Sequence, residues 1–85
     1  MKIQLRYFAS VREALGYSDE TVALPDGIAT VGDVRGWLRA RGGVWAEILA
    51  EGRALRMACN HVIAGVSTRI TDGCEVAFFS PVTGG

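Results

Sequence analysis

Thr30-Val31-Gly32-Asp33-Val34-Arg35-Gly36-Trp37-Leu38 decides the fold, because it is the one sustained helical pattern in a chain whose other apolar stretches mostly alternate. Val31, Val34 and Leu38 fall at i, i+3 and i+7 on one helical face. Thr30 followed by Asp33 supplies an N-terminal cap, and Gly42-Gly43 ends the helix.

Working outward, two strand patterns precede this helix. In the first, Ile3, Leu5 and Tyr7 face one side while Lys2, Gln4 and Arg6 face the other. The second is carried by Thr21, Val22 and Leu24, and Pro25-Asp26-Gly27 closes it by removing an amide donor and supplying turn geometry. Between them Ser10-Val11-Arg12-Glu13 reads as a capping box, with Ser10 as the cap of a short helix through Leu15 that Gly16 stops. Two strand patterns also follow the main helix. After one short helical turn at Trp45, Ile48 and Leu49, the residues Leu55, Met57 and Cys59 alternate with Arg56, Ala58 and Asn60. Past the Thr71-Asp72-Gly73 turn, Glu75-Val76-Ala77-Phe78-Phe79 is the last strand, closed by Ser80-Pro81.

Two strands before a helix and two or more after it in so short a chain predict an α+β fold in which one main helix covers one face of a mixed sheet. The β-grasp is the economical arrangement, with the last strand parallel to the first and the helix making the crossover. Residues 1–80 are then one domain, and residues 81–85 a flexible tail.

Composition narrows the function. The 85 residues carry nine Lys plus Arg against nine Asp plus Glu, a formal net charge of zero, so the attraction that drives general nucleic-acid binding is missing. A chain of this size buries only about 60 to 65% of its unfolded surface, which leaves one core and little room for a deep enzyme cleft. No apolar run approaches the roughly 18 to 20 residues that span a bilayer, and Met1-Lys2-Ile3-Gln4-Leu5-Arg6 is no secretion signal, so the expected compartment is the cytoplasm and no membrane partner is expected. Cys59 and Cys74 are not spaced as Cys-x-x-Cys and read as two free thiols, Cys59 inward and Cys74, just after a turn, more exposed. Together with His61 they supply at most three soft ligands, so no metal is expected and His61 reads as a surface histidine.

Two features point to a partner. Strand parity sends Phe8 to the side of Lys2, Gln4 and Arg6, away from the core, unless a bulge or a strand ending at Tyr7 re-aims it inward. The same parity sends Phe79 outward in the last strand, so two rings would form a docking patch with Arg12 at its rim. The second feature is the ending Pro81-Val82-Thr83-Gly84-Gly85, thin enough to enter a narrow channel and finishing in a carboxylate open to activation.

Three stretches carry a resemblance: Tyr7-Phe8-Ala9-Ser10-Val11-Arg12-Glu13, Ala58-Cys59-Asn60, and the block from Asp72 to Gly85 ending Phe78-Phe79-Ser80-Pro81-Val82-Thr83-Gly84-Gly85. With these the chain resembles the small, sulfur-carrier subunits of molybdopterin synthase, which are ubiquitin-like β-grasp proteins. The resemblance departs at Cys59, where an aliphatic residue is usual, at Cys74, commonly acidic, and at Ser80, usually proline. It implies that an adenylating, ubiquitin-activating-like enzyme uses MgATP to convert the Gly85 carboxylate to an acyl adenylate. A sulfurtransferase then replaces oxygen by sulfur, and the Gly85 thiocarboxylate enters the large subunit and donates sulfur to cyclic pyranopterin monophosphate. On this reading the chain binds no cofactor itself and is a donor rather than a catalyst. Gly84 and Gly85 are the reactive end, while Phe8, Arg12, Ile63, Phe79, Pro81, Val82 and Thr83 meet the partner in a heterotetramer of two small and two large subunits. Rival readings are a carrier for thiamine or transfer-RNA thiolation, a protein modifier joined through Gly85 to a lysine, and a plain interaction module.

Overall fold

The computed structural model describes residues 1–81. The chain runs β1 (Lys2–Tyr7), α1 (Ala9–Leu15), β2 (Asp19–Ala23), α2 (Val31–Arg39), α3 (Val44–Ile48), β3 (Arg56–Cys59), β4 (Val62–Ala64) and β5 (Glu75–Phe79). The strands form one mixed sheet in the order β2-β1-β5-β3-β4. β1 and β5 pair in parallel at its centre, Leu5 opposite Val76 and Tyr7 opposite Phe78, and the other pairings are antiparallel. This is the expected β-grasp, with β1 and β5 joined through the crossover that contains α2.

The alternation of β1 explains its placement. Ile3, Leu5 and Tyr7 are buried, and they pack with Val76 and Phe78 of β5 and with Val31, Val34 and Leu38 of α2 into one apolar cluster. Full burial of each such side chain stabilises the fold by about 1.5–3 kcal/mol. α2 starts where Thr30 and Asp33 make the predicted cap. The Thr30 hydroxyl accepts from the Asp33 amide at 3.1 Å, and the Asp33 carboxylate accepts from the amides of Ala29 at 3.0 Å and Thr30 at 3.1 Å. Those N–H donors, Ala29 first, hold the Asp33 carboxyl below its usual range. On the same helix Arg35 is buried, its Nε donating to the Leu49 carbonyl at 2.8 Å and its guanidinium also to that of Ala50, which fastens α2 to the end of α3.

Three expectations change and one is extended. Ser10 does not cap α1: the cap position is Phe8, with no side-chain cap bond, and Ser10 lies inside the helix with its hydroxyl on that of Ser80. The cause is Ala9, whose φ of +50° turns the chain directly from β1 into α1 and leaves no room for a separate cap. A fifth strand, β4, joins the four read from the sequence; it is three residues long, too short for periodicity to announce. Cys74 is buried at 4% exposure rather than open, because it precedes β5 on the same face as Val76. Finally, β3 begins at Arg56, leaving Leu55 outside it, and its Ala58 is buried although its parity is outward. Cys59 is half-buried among core residues as expected, and burial together with neighbouring Cys74 pushes its thiol pKa up.

Candidate docking site

The sheet face turned away from α2 carries the site. Register fixes which residues share it: Arg6 stands opposite Ala77, Ala77 opposite Ala58, and Ala58 opposite Ile63, so a row crosses β1, β5, β3 and β4. One step toward the C-terminal end of β5, Phe79 stands opposite Arg56. Phe8 leaves the end of β1 on this side, with its amide donating to the Phe78 carbonyl at 3.2 Å. Its ring is 41% exposed, so the inward alternative does not occur.

These residues enclose a groove of about 420 Å³ lined by Phe8, Ala9, Ala58, His61, Glu75, Ala77, Phe79 and Ser80. Its floor is small and apolar, with Ala58 and Ala77 buried, and its sides are the two phenylalanines and a polar row. In that row the Glu75 carboxylate lies 3.6 Å from Arg6 and 3.5 Å from His61 Nε2. The Arg6 guanidinium also sits 5.5 Å from the centre of the Phe8 ring, a cation–π contact that steadies the exposed aromatic. Arg6 Nε is buried without a hydrogen-bond partner among the described residues.

Tyr7, next to Phe8, is anchored on the opposite face. Its hydroxyl donates to Glu20 Oε2 at 2.8 Å, and Arg41 grips the same carboxylate through two bonds of 3.0 Å while lying 4.4 Å from the centre of a Trp45 ring system. Burial raises the Tyr7 pKa, and its hydrogen bond to Glu20 adds to this. The end of β1 is therefore fixed from beneath at the point where Phe8 is offered to solvent.

The sequence-selected residues divide into three groups. Phe8 and Phe79 meet in the groove, and Ile63, 65% exposed, extends the same face beyond Ala58. Arg12 is exposed on α1, one turn beyond Phe8, and does not line the groove; Pro81 follows Ser80 at its end and is half-buried. Val82, Thr83, Gly84 and Gly85 lie outside the described residues. Sequence reasoning missed His61, Glu75, Ala58 and Ala77. The signal for His61 was the pair Asn60-His61 between two short apolar runs, which marks a hairpin turn. Among the described residues no three His, Cys, Asp or Glu side chains converge on a common point for a metal ion, and no helix is long and apolar enough to cross a membrane.

Comparison with known proteins finds relatives along the whole chain. Over 83 residues, 98% of this chain and 99% of the relative, it is 41% identical to the molybdopterin synthase sulfur carrier subunit of Escherichia coli. It is 36% identical over the same shares to that of Haemophilus influenzae. It is also 33% identical to small archaeal modifier protein 3 of Haloferax volcanii, with both chains fully covered. The ThiS family profile matches residues 5–85, nearly the whole sheet and helix framework together with the Gly-Gly ending, and the chain thus belongs to the ThiS family.

Proposed function

We propose that this protein is the sulfur carrier of molybdopterin synthase. Its Gly85 carboxylate attacks the α-phosphorus of MgATP on an activating enzyme and expels pyrophosphate; a sulfurtransferase persulfide then displaces AMP to give an acyl disulfide, which a thiol reductant cleaves to the thiocarboxylate. The thiocarboxylate is ionised at neutral pH and softer than a carboxylate, so it is the better nucleophile toward cyclic pyranopterin monophosphate in the large subunit. The chain supplies the reacting atom and its delivery, and the synthase supplies the catalytic groups. Binding of MgATP and cofactor chemistry belong to the partners, and the work takes place in the cytoplasm, where both thiols stay reduced.

The observation that carries this reading is the apolar groove at the root of a Gly-Gly terminus, in a chain 41% identical along its length to a molybdopterin synthase sulfur carrier subunit. Phe8, Phe79 and Ile63 dock on the large subunit, Arg12 stands at the rim, and Pro81, Val82 and Thr83 lead Gly84 and Gly85 toward the pterin. Residues 1–80 act as the docking domain and 81–85 as the delivery tail, in a heterotetramer of two small and two large subunits. A single small and large subunit in the co-purified complex, by light scattering, overturns that stoichiometry.

The likeness to small archaeal modifier protein 3 favours a second reading, in which Gly85 forms an isopeptide bond with a target lysine. Intact mass after incubation with the activating enzyme, MgATP and a sulfur source separates the two. Replacement of one oxygen by sulfur, lost when Gly85 is deleted, followed by pterin conversion on adding the large subunit, supports the carrier. Isopeptide-linked adducts without thiocarboxylate support the modifier.

A further inference from the structure

His61 occupies a position that its own fold does not reward. Between β3 and β4 the two-residue loop Asn60-His61 has φ of +49° and +69°, the left-handed conformation of a type I′ turn, whose second position favours glycine. Asn60 suits its place: it tolerates this region, its side-chain oxygen accepts from the Glu75 amide at 2.9 Å, and its own amide donates to the Glu75 carbonyl at 2.8 Å. His61 has no such return. Its side chain is 82% exposed, and its one polar contact among the described residues is Glu75 Oε2 at 3.5 Å, a pair open to water on the histidine side and worth little to the fold. Yet the side chain stands at the groove containing Phe8 and Phe79, which is continuous with Ser80 at the base of the tail. A strained residue unsupported from within, placed where a second protein arrives, marks a function between molecules.

We propose that His61 is a specificity-determining residue of the docking groove. Its ring closes the groove at the β3–β4 turn and packs on a bulky apolar side chain inserted there by the large subunit of molybdopterin synthase. The groove's apolar floor and its continuity with Ser80, the residue before Pro81, argue for that occupant. The inference rests on the carrier reading above.

The test is a pair of measurements on the full chain and its His61→Gly variant: thermal unfolding of the carrier alone, and calorimetric titration with the large subunit from the same organism. Glycine relieves the turn, so the melting temperature is expected to rise by about 3–6 °C. Affinity is expected to fall about tenfold, as for a central interface side chain, and His61→Gln to recover most of it. Opposite movement of stability and affinity supports the assignment. An affinity within twofold of the original overturns it, and so does a fall in stability accompanying the fall in affinity, which makes His61 a support of the hairpin. Failure of the unmodified chain to bind overturns the carrier reading and this inference with it, whereas normal binding with an unaffected variant overturns this inference alone.

Discussion

Asn60 and Glu75 hold each other by two backbone-directed bonds, the Asn60 amide on the Glu75 carbonyl and the Glu75 amide on the Asn60 side-chain oxygen. One residue thereby ties the β3–β4 turn to the first residue of β5. Replacing Asn60 by Ala removes an acceptor and places a less tolerant residue at φ +49°. The expected loss is about 1–3 kcal/mol in urea unfolding. Asn60→Asp, which keeps the acceptor, is expected to lose less.

Acid is expected to act through Glu20. Burial alone raises its carboxyl, but the Arg41 fork and the Tyr7 hydroxyl outweigh that, and its pKa lies below the usual value. A lowered folded-state pKa gives stability that is present above the unfolded value, about 4.3, and lost as pH falls through the folded one. At neutral pH Glu20→Gln is expected to cost about 1 kcal/mol, the ion pair being only partly shielded from water. Urea midpoints from about pH 7 to 3 check this: the gap between the two proteins should close toward the acid end.

Gly32 and Gly36 lie one turn apart on α2 and should respond in opposite directions. A Cβ on Gly32 would stand 2.8 Å from the carbonyl oxygen of Val66, whereas one on Gly36 meets nothing within 4 Å. Gly32 also donates its amide to that same carbonyl at 2.9 Å, so the approach is a bonded one and the neighbour cannot simply retreat. Gly32→Ala is expected to destabilise by about 1–3 kcal/mol, and Gly36→Ala to stabilise by up to about 1 kcal/mol through helix propensity. Thermal melts of the two variants decide it.

Exposed residues of the groove face should separate binding from folding. Phe8→Ala and Ile63→Ala truncate side chains of residues that are 41% and 65% exposed, so stability should change by about 1 kcal/mol or less. Affinity for the large subunit should fall about tenfold in each, measured by titration calorimetry. Affinity unchanged from the parent chain in both variants would move the interface to another face.

Much of this architecture was legible in the sequence because local and global signals agreed. The alternation of Ile3, Leu5 and Tyr7, the Thr30–Asp33 cap and the spacing of Val31, Val34 and Leu38 each depend on neighbours a few residues away. What escaped was set by a contact distant in sequence or by elements too short to carry a period. Ser10-Val11-Arg12-Glu13 has the letters of a capping box, yet the turn at Ala9 gives the cap to Phe8 and Ser10 to Ser80, 70 residues on. Val62-Ile63-Ala64 becomes a strand because β3 is there to pair with it. His61 acquires its place from the turn beneath it and from Glu75, and an isolated histidine carries neither in its letter.

The central position of β5 has a mechanical consequence. Its last residues are bonded to β1 on one side and β3 on the other, and the parallel pairing with β1 runs along the direction in which the chain leaves. A pull on the chain beyond Pro81 therefore loads hydrogen bonds in shear on both flanks together instead of peeling an edge strand open one bond at a time. The body of the fold thus behaves as a rigid handle toward a load applied along β5.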